Sequence, residues 1–272
     1  MNLEKVITYL DQEYREGNSL ISDKVFDGLE KKLKLENPGC DYFNKRLHLP
    51  SLEKGTLEEF ADGLDENTKV IMQPKIDGVA VAIQYEDGKI KKAITRKGKD
   101  ITDKMKMIKS VPLQVLTKES LLIRGELYDP YKNKEPAISQ RKAAGYLRSK
   151  SFCPDPNLTF CAFEIINKDY DEINVKHELK KQGFIIIQTY ILTIDLNRQI
   201  INLNFSNNYM YQPYQQEKLN DVFFSVFKRD LHKYFPWYPK DGIVLKINSR
   251  KEQLAREKQY DLFPYSKIAI KY

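Results

Sequence analysis

The chain has 272 residues, 41% hydrophobic and 31% charged, a balance that suits a globular protein with a sizeable core and excludes a disordered one. It contains no run of about 18 apolar residues to span a membrane, and Met1-Asn2-Leu3-Glu4-Lys5-Val6 lacks the apolar stretch of a secretory signal. Cys40, Cys153 and Cys161 form no C-x-x-C pair, which argues against a disulfide framework or a four-cysteine zinc site and for a reducing cytoplasm; the net charge of +7 suits a phosphate-rich partner, though solvated lysine faces give the same sum.

Residues 1 to about 45 read as helical. Leu3, Val6, Ile7, Leu10 and Tyr14 recur at helical spacing, Gly17-Asn18-Ser19 breaks the pattern, and Ser22 or Asp23 can cap a second helix carrying Val25, Phe26, Leu29 and Leu33. Asn37-Pro38-Gly39 stops it. From Ser51 the pattern turns to strands. Val79, Val81, Ile83 and Tyr85 alternate with small or polar residues, and Glu86-Asp87-Gly88-Lys89 turns them into a second strand over Ile90 to Arg96. Leu121 to Tyr128 reads as a strand with Arg124 and Glu126 on one side. Phe160 to Ile166 and Phe184 to Leu192 read as buried strands flanking a helix at Asp171 to Lys181. Leu219 to Phe227 reads as a helix, Gly242 to Ile247 as a strand, and Glu252 to Lys258 as a helix. Hairpin-joined strands mixed with helices give an α+β fold with largely antiparallel sheets.

Four short constellations carry chemistry. Lys75-Ile76-Asp77-Gly78, after Pro74, opens a strand and sets an amine beside a carboxylate where glycine allows close approach; alone it equally describes a surface strand start. A lysine nucleophile must first lose its proton, which burial and nearby cations favour. In Asp241-Gly242-Ile243-Val244-Leu245-Lys246 a lysine sits deep in an apolar strand, so it meets either an anion such as phosphate or a salt-bridge partner. Strict alternation places Asp241 and Lys246 on opposite faces, so Asp241 lies in the preceding turn or the two do different jobs. Arg124-Gly125-Glu126 offers an acid for a ribose hydroxyl or a metal, or else a surface ion pair. Thr95-Arg96-Lys97-Gly98 is either a phosphate clamp or a basic turn.

Taken in order, these motifs resemble those of the covalent nucleotidyltransferases, and over essentially the whole chain those of the NAD-dependent DNA ligase adenylation domain. Ser51-Leu52-Glu53 resembles that family's adenine-contacting segment, and Pro74 to Gly78 its nucleophile motif. Tyr85 to Arg96, Ile108 to Leu113, Arg124 to Glu126, Arg141 to Arg148, Asp241 to Lys246 and Pro264 to Lys271 follow in the family's order. Asp23-Lys24-Val25-Phe26-Asp27 resembles the D-x-x-Y-D signature of the family's small helical domain, which selects NAD. This sequence departs from the family at several points. Gln73 stands for a glutamate, Phe26 and Phe163 for tyrosines, Ser266 for an aromatic, and the Arg141 segment is degraded.

The resemblance implies a nucleotidyltransferase (ATP-grasp-like covalent ligase) core over residues 49–272 and a helical NAD/NMN-binding domain over residues 1–48. It implies that Lys75 attacks NAD, releasing nicotinamide mononucleotide and leaving lysyl-AMP for transfer to a nicked duplex DNA. Asp77, Asp241, Lys246 and Lys271 are then catalytic. Tyr14, Asp23, Phe26, Asp27, Ser51, Leu52, Gln73, Ile76, Arg96, Glu126, Arg148, Phe163 and Lys246 bind the dinucleotide, and Glu126 and Asp241 hold Mg²⁺. The family's OB, zinc and helix-hairpin-helix domains have no counterpart in this sequence, so the expectation is either one subunit of a split ligase, whose second subunit supplies the DNA clamp for sealing, or an isolated domain, and no zinc is expected here. Eroded motifs in a short lysine-rich chain suit a viral or phage source, hence a host cytoplasm. An ATP- or GTP-using RNA ligase or capping enzyme, and a non-catalytic nucleotide-binding module, are the competing classes.

Overall fold

A computed structural model describes residues 2–16, 18, 20–37, 40, 52–61, 64–65, 68–96, 98–130, 136–150, 153, 155–195, 200–205, 216–218, 235–259 and 266–271. The first two helices, α1 (Leu3–Glu16) and α2 (Asp23–Glu36), pack on each other through Ile7, Leu33, Leu3, Phe26, Leu29 and Cys40. Ser22 is the residue that caps α2, its hydroxyl accepting from the Val25 N–H at 3.4 Å. The expected boundary at residues 48 and 49 and the expected helix over Leu219 to Phe227 lie outside the described residues.

Two sheets form the body of the chain. The elements in order are β1 (Glu53–Lys54), α3 (Leu57–Ala61), β2 (Lys69–Ile76), β3 (Val79–Glu86), β4 (Lys89–Thr95), α4 (Thr102–Lys106), β5 (Leu121–Tyr128), α5 (Pro136–Arg148), β6 (Thr159–Ile165), α6 (Glu172–Lys181), β7 (Tyr190–Asp195), β8 (Ile200–Phe205), β9 (Gln216–Lys218), β10 (Lys240–Ile247), α7 (Arg250–Gln259) and β11 (Lys267–Lys271). The larger sheet runs β1-β11-β10-β2-β7-β8-β9 and the smaller β4-β3-β5-β6; every pairing is antiparallel except β1 with β11. No helix among the described residues is long and apolar enough to cross a membrane.

Alternation along the strands gives each sheet one apolar face. Val81, Ile83, Tyr85, Ile123, Leu127 and Phe160 of the smaller sheet pack against Met105, Ala143, Leu147, Val175 and Leu179 of α4, α5 and α6. The β3–β4 turn is tight because Asp87 and Gly88 both take positive φ (50° and 75°), which matches the twist of the hairpin. In the larger sheet Val70, Met72, Ile243, Leu245, Ile247, Ile268 and Ile270 form the second core with Phe60 and Leu64. Burying each such aliphatic side chain contributes about 1.5–3 kcal/mol, so both outer faces are fixed. The remaining two faces, which carry the polar residues, are turned towards each other.

Two expectations are corrected. Lys75 and Ile76 close β2 instead of opening a strand, and Asp77-Gly78 is the turn into β3. Pro74 concealed this: a proline without an N–H reads as a strand boundary, but here it lies opposite Ile243, beside a β-bulge on β10 that accommodates it. Residues 184–189 form a single parallel bridge, Ala162 to Ile186, and the strand begins only at Tyr190. A short apolar run does not reveal whether its buried side chains plug a core or pair in a ladder.

Candidate active site

Ile71, Gln73 and Lys75 share the inner face of β2. Register places Lys246 opposite Ile71 and Val244 opposite Gln73, with Lys267, Ala269 and Lys271 next along β11. The smaller sheet answers with Arg124 and Glu126 on β5, beside Ala82 and Ala80 on β3 and Glu164 and Cys161 on β6. The wall formed by the larger sheet is therefore strongly basic, while the smaller sheet's wall carries Arg124 together with the carboxyls of Glu126 and Glu164.

At one end stands Lys75. Its Nζ donates to Asp241 Oδ1 at 2.7 Å, and Lys271 Nζ donates to Asp241 Oδ2. Asp241 reaches this position because β10 is bulged: three steps along β10, from Lys240 to Ile243, match two along β2, from Ile76 to Pro74. The extra residue breaks strict alternation and aims Asp241 at Lys75. Burial acts to raise the Asp241 carboxyl, but the hydrogen bonds from Lys271 and Lys75 outweigh it and hold the group below its ordinary range. The neighbouring Asp77 goes the other way, raised by burial and by the Asp241 charge against the pull of Lys75 and Lys271. Its N–H donates to the Pro239 carbonyl at 2.8 Å, tying the turn to the start of β10. Gly78 is required there, since a Cβ would lie 2.4 Å from the Leu127 carbonyl oxygen and 2.9 Å from Glu126 Cγ.

Glu126 completes this end. Burial pushes its carboxyl up to about 8, against the pull of Arg124 and Lys75, with Asp77 adding to the rise. Lys75, Asp77, Asp241, Lys271 and Glu126 thus form one electrostatic group, drawn from β2, β5, β10, β11 and the β2–β3 turn.

Lys246 does a different job. It is 2% exposed, and its Nζ donates to Glu172 Oε2 at 3.1 Å from α6. Lys267 joins Glu164 at 3.0 Å and Glu172 at 3.4 Å, while Arg124 meets Glu164 at 3.2 Å. Both carboxyls are held below their ordinary range: burial acts upward, and Lys267, Lys246 and Arg124 prevail at Glu164, as Lys246 and Lys267 do at Glu172. Sequence reading missed Glu164, Glu172 and Lys267; at Glu164 and Lys267 the available signal was a charge in an apolar strand, as at Lys246, while Glu172 opens α6 and gave none. Phe163 lies over this network, its ring 5.6 Å from Lys246 Nζ and 5.8 Å from the Arg124 guanidinium.

The other expected residues are spread more widely. Ile76 is buried with Tyr128, Cys161 and Ile187. Leu52 is partly buried just before β1, and Arg96 is exposed in the turn after β4. Arg148 is exposed at the end of α5, its Nε donating to the Ala144 carbonyl. Phe26 belongs to the core of the α1–α2 pair. Ser51 and the side chains of Tyr14, Asp23 and Asp27 lie outside the described residues.

As for Mg²⁺, Asp241 gives both oxygens to lysines, and among the described residues no three His, Cys, Asp or Glu side chains gather to hold a metal ion. The chemistry of these residues suits an anionic, base-bearing ligand better than a bare metal ion. Cations line one wall, an aromatic ring lies over it, and the buried Gln73 Nε2 has no hydrogen-bond partner.

An amine and its carboxylate, with a second lysine beside them, thus stand at one end of the space between the two sheets, an arrangement that suits an anionic ligand. Residues 52–260 match the family model of the NAD-dependent DNA ligase adenylation domain, and the chain belongs to that family. It is 26% identical to a DNA ligase of Metamycoplasma arthritidis, over 88% of this chain and 37% of the relative, and 32% identical to one of Borrelia hermsii, over 63% and 28%. The chain thus spans well under half the length of these relatives. A mycobacterial DNA ligase D solved with ATP and MES is 13% identical with a TM-score of 0.44, over 83% of this chain and 60% of that one; so distant a likeness carries nothing about the cofactor.

Proposed function

We propose that this chain is the lysine-adenylating module of a DNA ligase that uses NAD as its AMP donor, with residues 1–48 as a helical NAD-side domain and 49–272 as the catalytic core. The observation that carries the reading is Lys75 Nζ held at 2.7 Å by Asp241, itself held by Lys271, in the inter-sheet cleft. NAD, as substrate, supplies an adenylyl phosphorus whose leaving group is nicotinamide mononucleotide. Lys75 forms the P–N bond as the P–O bond to the mononucleotide breaks, and Asp241 is positioned to take the amine proton. Lys271 offsets charge developing on the phosphoryl oxygens. Glu126, protonated at neutral pH by virtue of its burial, has an O–H to donate to a ribose oxygen as well as an acceptor for a ribose hydroxyl.

Lys246 reaches a phosphate only by leaving Glu172, so Lys271 carries the first share of that role. Phe163 supplies a ring for the base, and Arg96, Arg148 and Leu52 complete the outer contacts. The assignment of Tyr14, Asp23, Phe26 and Asp27 to the nicotinamide side rests on their motif. Mg²⁺ would be held mainly by the donor's phosphates, with Glu126 or Asp241 as a carboxylate ligand. Transfer of AMP to a nicked duplex DNA, and sealing with a second subunit, extend the proposal to the activity for which the relatives are named.

The test offers the protein NAD, ATP and GTP, each labelled in the nucleoside. A covalent label from NAD alone supports the reading, and a label only from ATP or GTP contradicts it.

A further inference from the structure

Gln73 precedes Lys75 by two residues on the same face of β2, about 7 Å along the strand, and looks into the same cleft. It is 2% exposed, and its Nε2 has no hydrogen-bond partner among the described residues. The residue opposite it on β10 is Val244 and the next across the sheet is Ala269, neither of which has a polar side-chain atom. A buried, unmatched amide group is destabilising, because it has given up its hydrogen bonds to water without replacing them. A ligand that enters the cleft and meets it removes that penalty.

Within the proposed function, on which this inference rests, phosphorus lies at Lys75 and the ribose near Glu126. The base then extends along β2 over Gln73, towards the Phe163 ring. A carboxamide offers one donor and one acceptor on a planar end that turns over by rotation about a single bond. The edge of adenine presents an amino donor and a ring-nitrogen acceptor. A 6-oxopurine presents the reverse, a carbonyl acceptor and a ring N–H donor. One setting of the Gln73 amide matches the first and the flipped setting matches the second, and no hydrogen bond at Nε2 fixes either setting. A glutamate here, ionised and acceptor-only, matches the adenine amino group but sets two acceptors face to face with a 6-oxopurine.

We propose that the unmatched amide of Gln73, at a position the family resemblance already gives to the dinucleotide, relaxes base specificity: the site takes a hypoxanthine dinucleotide alongside the adenine one. The matching is made at the base edge, so it shows in binding as well as in chemistry.

The test measures calorimetric binding of NAD and of nicotinamide hypoxanthine dinucleotide to Lys75→Ala, which cannot form the adduct. In parallel, intact mass follows adduct formation from each donor by the unmodified chain. Gln73 is expected to hold the two binding constants within about tenfold of each other, and Gln73→Glu to shift their ratio towards NAD by about tenfold or more. Adducts of both nucleotides, at rates within about tenfold, are expected from the unmodified chain. A preference for NAD above about a hundredfold in the Gln73 protein overturns the inference while leaving the adenylation reading intact. If neither dinucleotide binds and no adduct forms from NAD, the adenylation reading falls and this inference with it. Should Gln73→Glu fail to fold, the ratio in the Gln73 protein decides alone.

Discussion

Replacing Glu172 by glutamine tests whether the ion network joining the two sheets is organised as described. The Glu172 and Lys246 side chains are 5% and 3% exposed and meet at 3.1 Å, so each depends on the other for the solvation that burial removes. Glu172→Gln keeps the shape but removes the charge and leaves one acceptor oxygen for two donors, Lys246 and Gln253, so the only full negative charge pulling on Lys246 among the described residues is that of Glu164. Breaking a buried pair in this way costs about 3–5 kcal/mol. Lys246→Met is milder, because Glu172 retains Lys267 at 3.4 Å and the Gln253 amide at 3.2 Å; its cost is that of one charged hydrogen bond, about 1.5–3 kcal/mol. For a domain of this size these figures lower Tm by about 6–20 °C and 3–12 °C respectively. Urea denaturation and calorimetry at pH 7 read both. Lys246→Met proving as costly as Glu172→Gln, or Glu172→Gln costing under about 1 kcal/mol, would refute the assigned partners.

Glu126 makes stability depend on pH with a definite sign. Its folded value of about 8 lies above its ordinary 4.5, so the folded state binds the extra proton between these values. The contribution is complete below about 4.5 and lost as pH rises through about 8, at no more than about 1.4 kcal/mol per pH unit. Urea titrations across that window should show Glu126→Gln with a flatter profile than the unmodified chain; parallel profiles would count against the assignment. Asp241→Asn removes the charge that holds Lys75 and Lys271, and should slow adduct formation by about a hundredfold with the melting temperature little changed; an unchanged rate would remove Asp241 from the chemistry. Gly78→Ala forces a Cβ against the Leu127 carbonyl oxygen, so thermal melting should show a loss of about 1–3 kcal/mol. A neutral result would mean that the turn is free to shift.

Much of the fold was legible because its signals are local. The alternation from Val79 to Tyr85, the Asp87-Gly88 turn and the Ser22 cap each express one short-range rule, and each forms as expected. Arg124 and Glu126 share a face simply because strands alternate. The illegible parts depend on residues far apart in sequence. The bulge that turns Asp241 towards Lys75 exists only against β2, 166 positions away. Lys246 was readable as a lysine needing an anion, but the identity of that anion, Glu172 at the start of α6, was fixed by tertiary packing. Helix α5 went unread because Gly145 interrupts a weakly amphipathic segment, and burial of Ala143 and Leu147 compensates.

The central claim is that Lys75 becomes covalently adenylylated by NAD. Intact-mass measurement of the unmodified chain and of Lys75→Ala, each incubated with NAD and Mg²⁺ and each shown to be folded, tests it most directly. The account predicts one AMP adduct on the unmodified chain and none on Lys75→Ala. An adduct that survives in Lys75→Ala, or none on a folded unmodified chain, contradicts it.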